Sequence, residues 1–274
     1  MINKIFNADD FGISPGVNMA IQKAYNEGVL NAASLMVNCK WAGQAVVMAK
    51  DMPELELGLH ANLTNQKAIL SYKEIPLLVD REGNFKHGFV GLLGVSLLHP
   101  MELQRQAKAE IKAQLKRMAA CGLKIKHLDA HRHVQMIPVI FKACMELAKE
   151  EEIERIRFIN ENPLSTIRQT KGYEWLKDGG LIKSMVLSGC AVVNKLLWRY
   201  KTDTYFYSII NTCNISKEKL QRLKVPRGFS QIESMVHQGM PEMDKEFLSD
   251  VFDDNILNDW RRRELETLLD KEVA

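Results

Sequence analysis

Four separate stretches of the chain carry carboxylates and imidazoles, the groups that bind divalent metals and move protons. They are Asp9-Asp10, His60, Asp129-x-His131-x-His133 and His237. Imidazole is a common ligand for zinc and other divalent metals, and carboxylates also bind such cations. Hydrolysis assisted by a metal needs such ligands together with a nearby proton acceptor. These stretches are therefore the candidates for an active site.

The first stretch holds two adjacent acids, Asp9 and Asp10. Neighbouring side chains of an extended chain point in different directions, so one carboxylate could bind a cation while the other stays free for proton transfer. A helix entry explains the same pair, because acids stabilise the N-terminus of a helix. The pair by itself leaves both interpretations open.

The third stretch has the sharpest local spacing. In an extended segment, period two would put Asp129, His131 and His133 on one face. A carboxylate beside a metal-binding histidine can fix its tautomer. A polar strand end with hydrogen-bonded histidines is the structural alternative.

The remaining histidines carry less information singly. His60 lies in an apolar run, which by itself is more typical of a core residue. His237 ends another apolar run and could act as a general acid opposite a carboxylate base. We interpret His87, His99 and His127 as surface or packing residues.

Short apolar runs alternate with helical patterns and predict the elements that carry these residues. The predicted strands are 2–8, 33–38, 55–63, 125–130, 155–159, 205–210 and 232–237; the predicted helices are 15–26, 41–50, 101–121, 138–150, 244–253 and 260–270. This alternation indicates parallel strands, whose carboxyl ends form the site in α/β folds. We predict one (β/α) barrel-like domain over 1–274, with insertions at about 65–100 and 160–200. A doubly wound open sheet fits nearly as well.

Composition narrows the class of protein. The 274 residues are 46% hydrophobic with a net charge of +3, as in ordinary globular proteins. Positive charge is not clustered, so no nucleic-acid partner is expected, and 261–263 (Arg-Arg-Arg) is predicted to be a solvated helix face. The cysteines form no CxxC pair and the N-terminus carries no apolar export segment, so we expect a reducing, cytoplasmic setting.

Four motifs together resemble the YdjC/ChbG family of carbohydrate deacetylases. They are Asn7-Ala-Asp-Asp-Phe-Gly12, Gly58-Leu-His60, His127-Leu-Asp-Ala-His-Arg-His133, and His237 with Gly239. They occur in the expected order over nearly the whole chain. The resemblance implies a distorted TIM-barrel fold akin to the polysaccharide deacetylases.

The resemblance also implies a cofactor and site roles. One divalent cation, Mg²⁺ or Zn²⁺, would be held by Asp10, His60 and His131. Asp9 would be the general base, and His237 corresponds to a late histidine of the family.

Substrate contacts are expected from His133, Asp129 and Arg157, the last resembling an arginine that the family keeps near the site. The chain departs from the family pattern at Ala130, Arg132, Gln135 and Gln238. None of these departures removes an expected ligand.

The implied activity is hydrolysis of an N-acetyl group on an amino sugar, either a chito-oligosaccharide or N-acetylglucosamine on a glycolipid. A subgroup of the family is associated with hopanoid lipid biosynthesis, and the apolar stretch 181–198 is compatible with a lipid-linked sugar. Its 18 residues include two lysines, which argues against a membrane span. A buried barrel helix is favoured over a helix on a membrane surface, although peripheral contact and a homodimer stay open.

Three alternative functions remain. Phosphoester hydrolysis would need more cationic groups or a second metal. Glycoside hydrolysis normally uses carboxylates on both sides of the sugar, which the adjacency of Asp9 and Asp10 disfavours. A non-catalytic carbohydrate-binding protein would not need both Asp9 and His237.

Overall fold

A parallel sheet forms the centre of the computed structural model, which describes residues 2–169, 180–250 and 254–273. Its strands are β1 (Asn3–Phe11), β2 (Ala32–Leu35), β3 (Glu56–Ala61), β4 (His127–Ala130), β5 (Arg155–Ile156), β6 (Thr204–Tyr207) and β7 (Gln231–Val236). Within the described residues the order is β5-β4-β3-β2-β1-β7-β6, and neighbouring strands pair in parallel. This order is that of a barrel opened between β5 and β6. The predicted barrel-like α/β fold is confirmed, and the doubly wound alternative, whose strand order reverses at a switch point, is wrong.

Side chains span the opening between β5 and β6. The Asn160 amide donates to the Thr204 carbonyl at 3.0 Å, and its oxygen accepts from the Phe206 amide at 2.8 Å. The Tyr205 hydroxyl accepts from the Asn162 amide at 3.1 Å. The strands β5 and β6 are thus not paired through backbone hydrogen bonds. Hydrogen bonds that involve the side chains of Asn160 and Tyr205 link the two edges of the sheet instead.

Helices connect the strands and cover the sheet. They are α1 (Pro15–Glu27), α2 (Ala42–Lys50), α3 (Phe89–Leu98), α4 (Pro100–Ala120), α5 (Pro138–Glu150), α6 (Pro163–Gln169), α7 (Gly180–Trp198), α8 (Lys217–Arg222), α9 (Pro241–Asp244) and α10 (Asp259–Leu269). Four 3-10 segments complete the described elements: His131–Met136, Lys245–Asp250, Asp254–Leu257 and Lys271–Val273.

Local signals explain where several helices begin and end. The Ser14 hydroxyl accepts from the Val17 amide at 3.2 Å, which caps α1 ahead of Pro15. Gly122 follows α4 with a φ of 78°, a left-handed conformation that glycine adopts without steric cost. The apolar face of α4, which includes Ile111, Leu115 and Met118, is buried.

Other predictions differ from the structure. The prediction of one helix over 244–253 is wrong, because α9 ends at Asp244 and a kinked 3-10 segment with Phe247 at the kink follows; residues 251–253 lie outside the described residues. The stretch 65–100 contains helix α3, which the sequence analysis did not predict. The single-domain organisation with two insertions stays a prediction.

Helix α7 is only partly buried. Its inner face includes Ser184, Leu187 and Asn194, and the Asn194 amide donates to the Met136 carbonyl at 2.8 Å. By length and composition α7 could cross a membrane, since an 18-residue segment of it has a mean hydropathy of 1.4. Only 33% of that segment is buried, which is less than a core helix requires. The expected buried barrel helix is therefore correct for the inner face and wrong for the outer face.

Candidate active site

Three distant parts of the chain meet at the carboxyl ends of β1, β3 and β4. The side-chain ligand atoms of Asp10, His60 and His131 all lie within 4.8 Å of one another. Asp10 Oδ1 is 3.6 Å from His60 Nε2 and 3.0 Å from His131 Nδ1. All three residues are buried. The fold thus brings together the three residues that were expected to share a cation.

Asp9 and Asp10 both face this cluster. Asp10 has a φ of 65°, and the pairing of β1 with β2 is irregular between Ala8 and Phe11. This left-handed residue interrupts the alternation of the strand, so Asp9 Oδ2 also comes within 3.9 Å of His60 Nε2. The two neighbouring carboxylates nevertheless have different partners, because Asp9 pairs with Arg157 and Asp10 with Arg261.

His131 and His133 are not in a strand. Strand β4 ends at Ala130, and the following 3-10 segment has Arg132 at φ 56° and His133 at φ 58°. Consecutive left-handed residues turn the chain, so that His131 reaches Asp10 while the His133 ring packs edge-on against Phe206 at 6.2 Å. The extended, one-faced arrangement predicted for Asp129, His131 and His133 is wrong. Left-handed non-glycine residues are strained and are common at functional sites.

Asp129 holds His60 in place. Its Oδ1 is 2.6 Å from His60 Nδ1, while its Oδ2 accepts from the Ser34 hydroxyl at 2.7 Å and pairs with Arg157 Nη2 at 2.7 Å. A proton on His60 Nδ1 leaves the lone pair of Nε2 directed towards Asp10. Asp129 is fully buried, so its contacts are with protein groups rather than with the solvent side of the site.

Arg157 is buried among carboxylates. Its Nη1 and Nη2 each donate to one oxygen of Asp9 at 2.7 Å, and its Nε donates to Glu233 Oε1 at 2.5 Å. Such a two-point contact fixes the plane of a carboxylate as well as its charge. Desolvation would raise the pKa of Asp9, but the charge and hydrogen bonds of Arg157 together with the charge of His60 oppose it, and the net pKa is lowered.

Sequence reasoning missed Arg261. It was assigned to a solvated helix face, but only 2% of it is exposed and its Nη2 donates to Asp10 Oδ2 at 3.0 Å. The buried residues of α10 are Arg261, Glu264, Leu265 and Leu268, which recur with helical spacing. This helical spacing could have predicted the burial of Arg261 from the sequence, because it places Arg261 on the same side of the helix as Leu265 and Leu268 and away from its neighbouring arginines.

His237 lies on the other side of Asp9. Its Nε2 is 4.0 Å from Asp9 Oδ2, and its ring meets Trp260 edge-on at 6.1 Å. Its backbone amide donates to Glu264 Oε2 at 2.7 Å. Burial lowers the pKa of the His237 imidazole to about 4, although Asp10 and Asp9 oppose that shift.

A network of buried polar residues forms hydrogen bonds to Asp9 and to its neighbour Ser34. The Asn7 amide donates to Asp9 Oδ1 at 2.8 Å and to the Ser34 hydroxyl at 2.9 Å. His127 Nε2 is 3.1 Å from the same hydroxyl, and its Nδ1 is 3.1 Å from Glu56 Oε1. His127 is therefore a buried packing residue, as one of the two interpretations had it, and it also contacts polar groups of this network.

The cluster's charges are those of a cation site. Four carboxylates (Asp9, Asp10, Asp129, Glu233) face three guanidinium groups (Arg155, Arg157, Arg261), which leaves an excess of one negative charge when the imidazoles are neutral. Burial would lower the pKa of His60, but the surrounding acids, Asp129 first, raise it to about 9. The surrounding carboxylates therefore favour a proton or a cation at His60 Nε2.

The donor atoms also suit a metal. His131 Nε2 is buried and has no hydrogen-bond partner in the described part of the chain. Two imidazoles and one carboxylate form a donor set that zinc accepts, with further positions left for water or substrate. Magnesium prefers oxygen ligands. The residues present fit one divalent cation.

Comparison with known proteins gives consistent results. A family model described as "YdjC-like protein" matches residues 4–274. A carbohydrate deacetylase of Brevibacillus brevis is 41% identical over 149 residues, covering 54% of this chain and 56% of that protein. One of Geobacillus stearothermophilus is 35% identical over 165 residues, covering 60% and 63%. The matched part of the chain thus spans between half and two thirds of these relatives' length.

One solved structure is similar over the whole chain. It is a crystal structure from Enterococcus faecalis V583, of a protein provisionally named a cellobiose-phosphate cleavage protein. The TM-score is 0.72 at 23% identity, covering 100% of this chain and 93% of that one. At this identity the similarity concerns the fold.

Proposed function

The chain belongs to the YdjC-like protein family, and from this premise we propose that it is a metal-dependent hydrolase that removes an N-acetyl group from an amino sugar. The observation that carries the proposal is the convergence of Asp10, His60 and His131 beside the separate carboxylate of Asp9. The names of the curated relatives support a carbohydrate as the substrate class. The proposed substrates extend from acetylated chito-oligosaccharides to lipid-linked N-acetylglucosamine, and the proposed location is the cytoplasm.

Asp10, His60 and His131 would hold the cation, and we propose zinc ahead of magnesium because two of the three ligands are imidazoles. When bound, the cation supplies Lewis-acid polarisation of the acetamide carbonyl and acidifies a water molecule. Asp129 orients His60 through Nδ1, and Arg261 orients Asp10 through Oδ2.

Asp9 is the proposed general base. Its Oδ1 accepts from Asn7 and from Arg157 Nη2, and its Oδ2 accepts from Arg157 Nη1, so the orientation of the carboxylate is fixed. Oδ2 also faces both His60 and His237 and has a further lone pair to accept a proton. Its lowered pKa keeps it ionised and able to accept a proton. The proton of the attacking water would therefore pass to Asp9 Oδ2.

His237 is the proposed proton donor to the leaving amine. Because its pKa is about 4 in the resting site, it is neutral at pH 7 and must first receive a proton. Asp9 Oδ2, at 4.0 Å from His237 Nε2, is the nearest proposed source, and a water molecule or the leaving nitrogen can bridge that distance. The water proton would thus be returned to the product amine.

His133 is the residue best suited to contact the sugar. It is partly exposed, and its buried Nδ1 has no hydrogen-bond partner among the residues that the structure describes. Burial and the charge of Arg157 lower its pKa to about 3, so the ring is neutral and can bond a hydroxyl. For Arg157 and Asp129, which were also expected to contact the substrate, burial and ion pairs favour positioning roles instead.

The test is acetate release from acetylated sugars and glycolipids, with and without a chelator. Asp9→Asn should keep the metal and lose turnover, whereas Asp10→Ala and His131→Ala should lose the metal itself. Metal content by elemental analysis separates the two classes of variant. A fully active Asp9→Asn enzyme contradicts the assigned base.

The same panel tests the alternatives. Phosphate release or glycosidic cleavage without acetate release would assign the site to another hydrolysis. Calorimetric binding of the sugar with no product would assign it to a binding protein. Each outcome overturns the deacetylase proposal while leaving the metal site to be judged by metal content.

A further inference from the structure

The outward face of α7 is apolar along its whole length. Seven large apolar side chains there are 38–73% exposed: Ile182, Met185, Val186, Val192, Val193, Leu196 and Leu197. At 100° per residue they lie opposite the buried face of Ser184, Leu187, Ala191 and Asn194. The two lysines of the helix, at 183 and 195, fall on its flanks. The face is therefore an uncharged stripe about 22 Å long.

A second apolar surface lies near the first. Val90, Leu97, Leu98 and Met101, in α3 and at the start of α4, are 77–84% exposed. Both α3 and α7 pack against the 3-10 segment His131–Met136, which carries His131 and His133. The apolar surfaces therefore border the same segment as the candidate active site.

The charges of these segments are all of one sign. No Asp or Glu occurs in the sequence between Glu82 and Glu102 or between Asp178 and Asp203. The two stretches contain Lys86, Lys183, Lys195, Arg199 and Lys201. An apolar helix face flanked by cations complements an anionic lipid surface. A second copy of the chain seated on the same face would instead bring like charges together.

We propose that the outward face of α7 lies on the surface of an anionic lipid bilayer, in the plane of the interface. The helix does not need to leave the fold for this contact. Its inner face keeps the bonds from Asn194 to Met136 and from the Trp198 indole to Pro138, which a membrane span would break. The contact would bring the segment His131–Met136 close to the membrane, and it is independent of the reaction proposed above.

The experiment is flotation of the full chain with vesicles of phosphatidylglycerol and phosphatidylcholine. We expect the wild-type protein to bind, and Leu196→Ser to lower the partition coefficient about tenfold through lost apolar burial. The matched control is Val47→Ser, because Val47 is 64% exposed on α2, outside both apolar surfaces. This control should bind like the wild type. Pure phosphatidylcholine vesicles should bind less.

Two results would overturn the proposal. One is equal partitioning of the wild type and Leu196→Ser, or no binding by the wild type. The other is self-association without lipid, measured by light scattering and removed by Leu196→Ser, which would assign the face to a second copy. If circular dichroism shows that Leu196→Ser is unfolded, Met185→Ser on the same face decides by the same criteria. None of these readouts uses deacetylase activity.

Discussion

Replacing Asp129 by Asn tests how the fold prepares His60 for a cation. Asp129 presents only acceptors: Oδ1 to His60 Nδ1 at 2.6 Å, and Oδ2 to Ser34 and Arg157 at 2.7 Å. An asparagine offers one oxygen and one NH2 group in the same volume. Either His60 or the pair of Ser34 and Arg157 must therefore face the NH2 group of the asparagine, a donor, in place of a carboxylate oxygen, an acceptor.

Either orientation harms the site. If the amide nitrogen faces His60, the imidazole must carry its proton on Nε2 and loses the lone pair directed towards Asp10. If the nitrogen faces Arg157 and Ser34, it meets the Arg157 guanidinium as donor against donor in a buried place, and the Ser34 hydroxyl must turn from donor to acceptor. In both cases His60 loses the negative charge that raises its basicity. Losing such an orienting partner weakens metal binding by about 10–100-fold, or about 1.4–2.7 kcal/mol.

The assay is zinc affinity by competition with a chromophoric chelator, combined with the tautomer of His60 from nitrogen NMR. Glu233→Gln is the matched control, because Glu233 pairs with Arg157 in the same network and is bonded to it at Nε rather than to His60. Asp129→Asn should weaken zinc binding well beyond Glu233→Gln. The reasoning fails if both variants weaken it equally, or if Asp129→Asn binds zinc within threefold of the wild type.

Three further outcomes follow from buried groups away from that bond. Arg261→Met should lower the free energy of unfolding by about 3 kcal/mol, because Asp10 loses a buried partner. The control is the exposed Arg262→Met, which should change that free energy by less than about 0.5 kcal/mol. Equal effects of the two variants in urea denaturation would contradict the burial of Arg261. Burial raises the pKa of Glu161 from 4.5 to about 7. Its contribution to the free energy of unfolding, about 3 kcal/mol, is therefore present below pH 4.5 and is lost as the pH rises through 7. Glu161→Gln should flatten the decline of the wild-type free energy of unfolding between pH 5 and 8, and an unchanged slope would refute this. Gly58→Ala should destabilise by about 1–3 kcal/mol because a Cβ there would come within 2.2 Å of the His127 ring, while Gly43→Ala, with nothing within 4 Å on helix α2, should be neutral or stabilising.

Much of the fold followed from local pattern. Helix α5 has the bounds 138–150 that the sequence predicted, and α1 begins at Pro15, also as predicted. These features depend on neighbours in the chain, which the sequence displays directly. The kink in the sequence-predicted helix 244–253 was not foreseen; it lies at Phe247, whose ring packs edge-on against Trp41 at 5.2 Å, a contact between distant parts of the chain.

The sequence by itself determined which residues could do the chemistry. Carboxylates and imidazoles at the ends of β1, β3 and β4 had to meet, because parallel strands deliver their carboxyl ends to one edge of the sheet. Only the tertiary structure decided how they meet. Asp10 and His133 have left-handed backbone, which aspartate and histidine adopt more often than most residues but which no local pattern of this sequence announces. Arg261 is 251 positions from Asp10, so their pairing depends on how the barrel closes around the site, a long-range contact that no local spacing encodes.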